Sequence, residues 1–361
     1  MAGQVGLVVV GMGGVGSSLL AGTLLSRSNL VHPFGSLAEG GGAARTQGMP
    51  SLREQAPLAN LSDLVLGAFE LREDDGWRAA VRAGLLNRSL VDEVRPELRK
   101  VRAMLGARHA PTRRHLADML AEDLRGFLAH HHCQRGVVVC TLPGPKAVQG
   151  RPAFTPAELW GALEEGADWV TPGVIYAAAA AMAGCSFVAA GRDAALGAPG
   201  IAGLFSELGV PMAGTGLIGP DAALREALAS ALAAEGFSVS GSASLSTRAE
   251  ERGAGLWGGP DRTQEMAAAH GFAGTSVELS IELRGQVAVY QAARALDAAL
   301  LLELAHRAGR TGAQEFMDAL FTAPLGAASP RHAQQLTLAE RRARLWAELP
   351  ALAQSAAREA A

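Results

Sequence analysis

Gly11-Met12-Gly13-Gly14-Val15-Gly16 has the GxGxxG spacing that gathers backbone N–H groups where a helix begins, an arrangement suited to holding a pyrophosphate. The same spacing returns at Gly214-Thr215-Gly216-Leu217-Ile218-Gly219, and context separates the two. The first follows a continuous apolar run, residues 5 to 10, and Ser17 and Ser18 stand where the next helix opens. Gly11, Gly13, Gly14, Gly16, Ser17 and Ser18 are therefore expected to cradle a dinucleotide. Such sites carry an acidic residue about twenty positions on, which grips the ribose hydroxyls. That stretch here reads Asn29-Leu30-Val31-His32-Pro33, so Glu70, at the end of a second apolar strand, is the nearest substitute. Thr141-Leu142-Pro143-Gly144 ends a third buried strand, which sets Thr141 and Pro143 beside the same crevice. The second motif follows a shorter strand and has Pro220 and Asp221 in place of small polar residues, so a plain strand-to-helix turn fits it as well as an anion site.

Other side chains could do chemistry. Arg192 and Asp193 lie at a strand end, where Arg192 suits a phosphate and an ordinary loop ion pair is the competing reading. Asp297 interrupts an apolar helix, as a functional carboxylate or a satisfied structural one would. His130-His131-His132-Cys133 lacks ligand spacing, since consecutive side chains diverge, and no metal is expected there. No Ser/His/Asp or Cys/His arrangement can be assembled from spacing.

The elements that must position these residues alternate. Apolar strands at 5–10, 64–69, 136–141, 186–190 and 210–213 are separated by helical stretches, including an alanine-rich one around Ala177 to Ala181. Between 237 and 284 the pattern changes to period-two alternation at 238–245 and 276–283, the mark of a mostly antiparallel subdomain. A long apolar helix follows from Val287 to Ala308, and the last thirty residues are helical and charged. The fold class is α/β: a Rossmann-like doubly wound parallel sheet carrying an inserted α+β domain.

Composition narrows the partners. Apolar residues make up 49% of the 361, charged residues 19%, and the net charge is -3, so there is no basic field for nucleic acid or an anionic membrane. A small molecule or another copy of the chain is expected instead. The N-terminal apolar run is too short to span a bilayer and lacks the basic start of a signal peptide. Cys133, Cys140 and Cys185 form no CxxC and are odd in number, which argues against a disulfide framework and points to a reducing cytoplasm. Of 32 basic residues only Lys100 and Lys146 are lysines.

Several stretches together resemble the myo-inositol-1-phosphate synthase family, also called inositol-3-phosphate synthases: GMGGVGSSLLAG at 11–22, FGSLAEG at 34–40, SDLVLGAFELRE at 62–73, TPGVIYAAAAAMAGCSFV at 171–188, PGIAGLFSELGVPMAG at 199–214 and ALDAALLLELA at 295–305. The resemblance implies an NAD-binding domain made by both ends of the chain, 1–210 and 289–361, around an insertion at 211–288 that carries substrate and oligomer contacts. It also implies a homo-oligomer, dimer or tetramer. Its implied reaction oxidises a sugar phosphate such as glucose 6-phosphate with NAD, closes the ring by an aldol step and returns the hydride. Glu70 stands where the family has Asp, and Asp297 where it has an acidic active-site residue. The family's lysine-bearing catalytic loop is replaced here by Gly214 to Ala223, and its polar substrate loop by Ala190 to Gly200. Its asparagine-rich segment has no counterpart near 240–260. Asp297, Asp221 and Arg192 remain as the candidate catalytic residues. The alternative is a catalytically lapsed homologue that serves as a structural or regulatory oligomer.

Overall fold

The computed structural model describes residues 3–40, 51–106, 108–145, 147–247, 261–323, 325 and 336–359. Lys146 and the 248–260 part of the insertion lie outside them. β1 (Val5–Val10) is buried along its whole length, as an apolar run in a parallel sheet must be. It turns into α1 (Gly14–Arg27). A short α2 (Leu52–Gln55) precedes β2 (Leu64–Glu70). Helices α3 (Gly76–Ala83), α4 (Arg88–Glu93) and α5 (Arg95–Lys100) lead to β3 (Ala103–Leu105), and α6 (Arg113–His130) to β4 (Arg135–Cys140). Then come α7 (Pro156–Glu165), α8 (Pro172–Met182), β5 (Ser186–Ala189), α9 (Pro199–Glu207) and β6 (Pro211–Ala213).

These strands form one parallel sheet with the order β11-β6-β5-β4-β1-β2-β3, closed at one edge by β11 (Gly312–Ala313) from the C-terminal part of the chain. Strands β1 to β3 run outward in one direction and β4 to β6 in the other, so the order reverses between β1 and β4. A ligand crevice belongs beyond their carboxyl ends.

Alternate residues of β1 feed two cores. Val5, Leu7 and Val9 pack with α1 and with α11 (Val287–Arg307), and Val8 and Val10 pack with α6 and α8. Nine residues of α8 are buried, among them five consecutive alanines, whose small side chains let this helix lie close to the sheet. The final helix, α12 (Leu338–Glu359), buries Leu345, Leu349 and Leu352 against the α11 face.

Between β6 and α11 the chain makes β7 (Thr215–Leu217), α10 (Pro220–Ala234), β8 (Ser238–Thr247), β9 (Asp261–His270) and β10 (Ser276–Gly285). The last three form an antiparallel sheet in the order β10-β9-β8. The two alternating segments read from sequence are its outer strands, and they do not pair with each other. The middle strand carries Ala267-Ala268-Ala269, whose low strand propensity hid it; pairing on both sides imposes the conformation. β7 pairs instead with β12 (Phe321–Ala323) as a separate ribbon. Among the described residues no helix is long and apolar enough to cross a membrane.

Candidate dinucleotide and substrate site

The first glycine motif lies at the switch point. Gly11 donates its N–H to the Phe69 carbonyl at 2.9 Å, which fastens the loop to β2. A methyl group on Gly16 would sit 2.1 Å from the Gly11 carbonyl oxygen and 2.8 Å from Val9 Cγ1, so only glycine lets α1 settle on β1. Gly13 is the opposite case: it is the N-cap of α1, no side chain caps the helix, and nothing lies within 4 Å of the place its Cβ would take. The first-turn N–H groups of α1 thus have neither an intrahelical acceptor nor a capping side chain, and the space beside Gly13 is open. Gly14 packs against Ala288, which brings the first turn of α11 beside that of α1.

The two serines do not share this role. Ser17 is buried and donates its hydroxyl to the Gly13 carbonyl at 2.7 Å, a bond inside the helix turn. Ser18 lines a separate groove between α1, α4 and α11. Glu70 accepts the Met12 N–H at 2.8 Å on one carboxylate oxygen and the Leu71 N–H at 2.8 Å on the other. It braces the glycine loop, and each oxygen keeps a lone pair for another donor. Thr141 donates its hydroxyl to the carbonyls of Val10 (3.0 Å) and Gly11 (2.9 Å), tying β4 to the loop. Pro143 lines a cavity of about 290 Å³ together with Gly11, Glu70, Arg108, Leu116 and Tyr176. Nearby Cys140 is no nucleophile, because burial pushes its thiol up to about 12.

Arg192 and Asp193 do not pair. Asp193 is buried, accepts from the Thr171 hydroxyl at 2.5 Å and from the Ala195 N–H at 3.0 Å, and is a structural carboxylate at the base of α8. Arg192 lies across Gly216, whose Cβ would meet the arginine Cγ at 2.7 Å, and its guanidinium makes no ion pair or hydrogen bond with another described residue. The second glycine motif is explained by packing. Gly214 has φ +61° and lies under the Phe321 ring, 1.9 Å from where its Cβ would be, and β7 is buried. Asp221, in the first turn of α10, forms an i,i+4 ion pair with Arg225 at 3.6 Å.

Asp297 has no exposed surface. Its carboxylate accepts from the Ser36 hydroxyl at 2.6 Å, the N–H groups of Leu37 (2.9 Å) and Ala38 (3.0 Å), and Arg294 Nη1 at 3.1 Å. Burial pushes its pKa up, and Arg294 and the three loop donors push back. Through these bonds Asp297 holds the loop at 36–38 onto α11. Sequence reasoning singled out neither Ser36 nor Arg294. The signal was present in that FGSLAEG and ALDAALLLELA, two of the resembling stretches, are the ones that meet here. Arg294 also reaches Tyr290 Oη at 3.1 Å. Among the described residues no three His, Cys, Asp or Glu side chains converge as a metal site.

The strand order and the open glycine cradle define a Rossmann-like α/β protein. An NAD-binding family profile, described as myo-inositol-1-phosphate synthase, matches residues 5–346, and the chain belongs to that family. Inositol-3-phosphate synthase 1 of Bacteroides thetaiotaomicron is 30% identical over 157 residues, an alignment covering 38% of this chain and 36% of that protein. The chain thus matches little more than a third of that relative's length. The crystal structure of inositol-3-phosphate synthase from Caenorhabditis elegans superposes with a TM-score of 0.83 at 15% identity, covering 98% of this chain and 86% of that one. A myo-inositol-1-phosphate synthase-related protein from Thermotoga maritima gives 0.68 at 18% identity (96% and 99% covered), and Ari2 gives 0.66 at 21% (98% and 99%). At these identities the structures show the shared fold.

Proposed function

We propose that this chain binds NAD at the Gly11–Gly16 loop and converts a small phosphorylated sugar or polyol, of the class of glucose 6-phosphate, to a cyclitol phosphate. The observation that carries the reading is the uncapped first turn of α1, which opens at the switch point beside Gly13. The N–H groups of that turn suit a pyrophosphate, and Glu70 suits the ribose hydroxyls while its charge disfavours a 2′-phosphate. The cavity bordered by Pro143, Leu116 and Tyr176 is apolar enough for an adenine ring. When bound, NAD supplies a hydride acceptor and, later, a donor.

Arg192, which has no ion-pair or hydrogen-bond partner among the described residues, is the cation for the substrate phosphate. The enzyme is proposed to work as a homo-oligomer in a reducing cytoplasm, in keeping with three free cysteines. The insertion is proposed as the module that carries substrate and oligomer contacts. The second reading, a lapsed homologue, is favoured by the 214–219 segment, which is buried and has no ionisable side chain where the family resemblance placed lysines. Calorimetry with NAD, followed by incubation with NAD and glucose 6-phosphate and phosphorus NMR of the products, separates the two. NAD binding with a new cyclic phosphate ester supports the first reading. Failure to bind millimolar NAD rejects it in favour of the second.

A further inference from the structure

Taking a hydride from a carbon that bears a hydroxyl also needs a group that accepts the hydroxyl proton. The 214–219 segment offers none, and the two lysines do not supply it: Lys100 closes α5, which leads to the edge strand β3, and Lys146 lies outside the described residues. The chain has only two tyrosines. Tyr176 is committed, since it donates its proton to the Gly106 carbonyl at 3.1 Å and burial pushes its phenol up.

Tyr290, in the first turn of α11, is placed differently. Arg294, one turn on, donates to its oxygen from Nη2 at 3.1 Å and from Nε at 3.4 Å, and the guanidinium carbon lies 5.0 Å from the ring centre. A guanidinium has no acceptor, so the phenol oxygen accepts in both bonds, and its own proton has no acceptor among the described residues. Arg294 is buried and is held in turn by Asp297 at 3.1 Å, which fixes the donors. Half-buried Tyr290 borders a cavity of about 240 Å³ with Pro220, Arg284, Gln286 and Val287, where α10 and α11 begin and β10 ends.

The same helix end touches both halves of the site. Ala288 meets Gly14 of the nucleotide cradle. Gln291 donates from Nε2 to the Leu217 carbonyl at 3.0 Å, one residue from Gly216, across which Arg192 lies. Other polar groups nearby are engaged: Asp221 with Arg225, Arg284 with Glu282, and the Thr322 hydroxyl with the carbonyls of Thr215 and Gly216.

We propose that Tyr290 is the proton-transferring residue of this site, its oxygen held by Arg294 at the edge of the cavity that takes the sugar carbon to be oxidised. The proposal rests on the NAD-dependent reading above and assigns the base that reading lacks. In the oxidation the substrate C–H bond breaks and its electron pair leaves as hydride to NAD. The O–H bond breaks with it, its proton bonds to the Tyr290 phenolate oxygen, and the C–O bond becomes a carbonyl. When the hydride returns, Tyr290 gives the proton back, so protons and electrons balance over the cycle. The two N–H groups of Arg294 stabilise the phenolate by charge-assisted hydrogen bonds.

The test uses the full chain and two readouts. Tetranitromethane nitrates accessible tyrosines; with Tyr176 buried, the modified peptide should be the one that carries Tyr290, and Tyr290→Phe is the blank. In the presence of NAD, glucose 6-phosphate at about ten times its dissociation constant should slow this nitration about tenfold, which needs no turnover. Tyr290→Phe keeps the ring beside Arg294, so its circular dichroism and NAD affinity should match wild type. Its kcat for the cyclic phosphate ester, followed by phosphorus NMR, should fall about a hundredfold or more with KM little changed, the share a general acid–base group contributes. A Phe variant that turns over like wild type, or nitration that the sugar phosphate does not slow, overturns the assignment of Tyr290 and leaves the reaction standing. A wild-type chain that binds NAD and forms no cyclic ester overturns the reaction and the role of Tyr290 together.

Discussion

Gly13 and Gly16 stand three residues apart in one motif and serve different ends. The space for a Gly16 side chain is taken by the Gly11 carbonyl, and the space for a Gly13 side chain is open. Gly16→Ala must push α1 off β1, at a cost of about 1–3 kcal/mol, which urea denaturation would read as a lower midpoint. Gly13 has φ -73°, which alanine adopts freely, so Gly13→Ala should keep wild-type stability. Its methyl would enter the cradle, and calorimetry should show NAD affinity reduced at least tenfold. Equal stability losses in the two variants would remove the distinction on which the cofactor reading depends. The motif itself was legible from spacing, since a strand, a glycine turn and small residues have one common solution. What spacing could not show is where each polar group spends its bonds. Ser17 closes a helix turn, Thr141 ties two strands, and Asp297 is surrounded by donors from a loop 260 residues away in sequence. Partners of that kind are set by tertiary packing.

Among the elements, the parallel strands were readable because burial on both faces leaves nearly continuous apolar runs. β9 was not, because its strand state is imposed by its neighbours. The β7–β12 ribbon was hidden for a related reason: its partner lies more than a hundred residues on and is three residues long. That ribbon explains the second glycine motif. Gly214 combines a left-handed φ of +61° with the Phe321 ring pressed on its Cα. Gly214→Ala should therefore cost about 2–4 kcal/mol, the sum of backbone strain and a steric clash. In a Phe321→Ala background the clash is gone, and the same substitution should cost only about 1 kcal/mol beyond the background. A double-mutant cycle by thermal or urea unfolding checks this. Additive losses would mean that the ring does not dictate the glycine, and an anion-binding role for 214–219 would return.

At the scale of the whole molecule, stability should depend on pH through buried groups that act in opposite directions. Asp318, in the turn before β12, is pushed up to about 7, mainly by burial, with Glu315 adding to the shift and Arg344 and Arg341 opposing it. An unfolded aspartate titrates near 3.9, so from about pH 4 to 7 the native state binds the extra proton and stability falls as pH rises. His306, near Arg135 and Glu303, has its pKa lowered by burial, so its neutral native form loses stability as pH falls through the ordinary histidine range. The two slopes oppose each other between pH 5 and 7, and a wild-type profile cannot isolate either. The difference between wild type and Asp318→Asn can. An amide of the same shape does not titrate, so the variant should match wild type near pH 5 and exceed it at pH 8 by about 1–2 kcal/mol, since Arg344 and Arg341 favour the ionised form and offset part of the burial effect. Urea unfolding of both proteins at the two pH values gives that difference directly. If the variant is less stable at pH 8, Asp318 is ionised and paired in the native state, with Arg341 or Arg344 as its partner, and the slope assigned to burial belongs elsewhere.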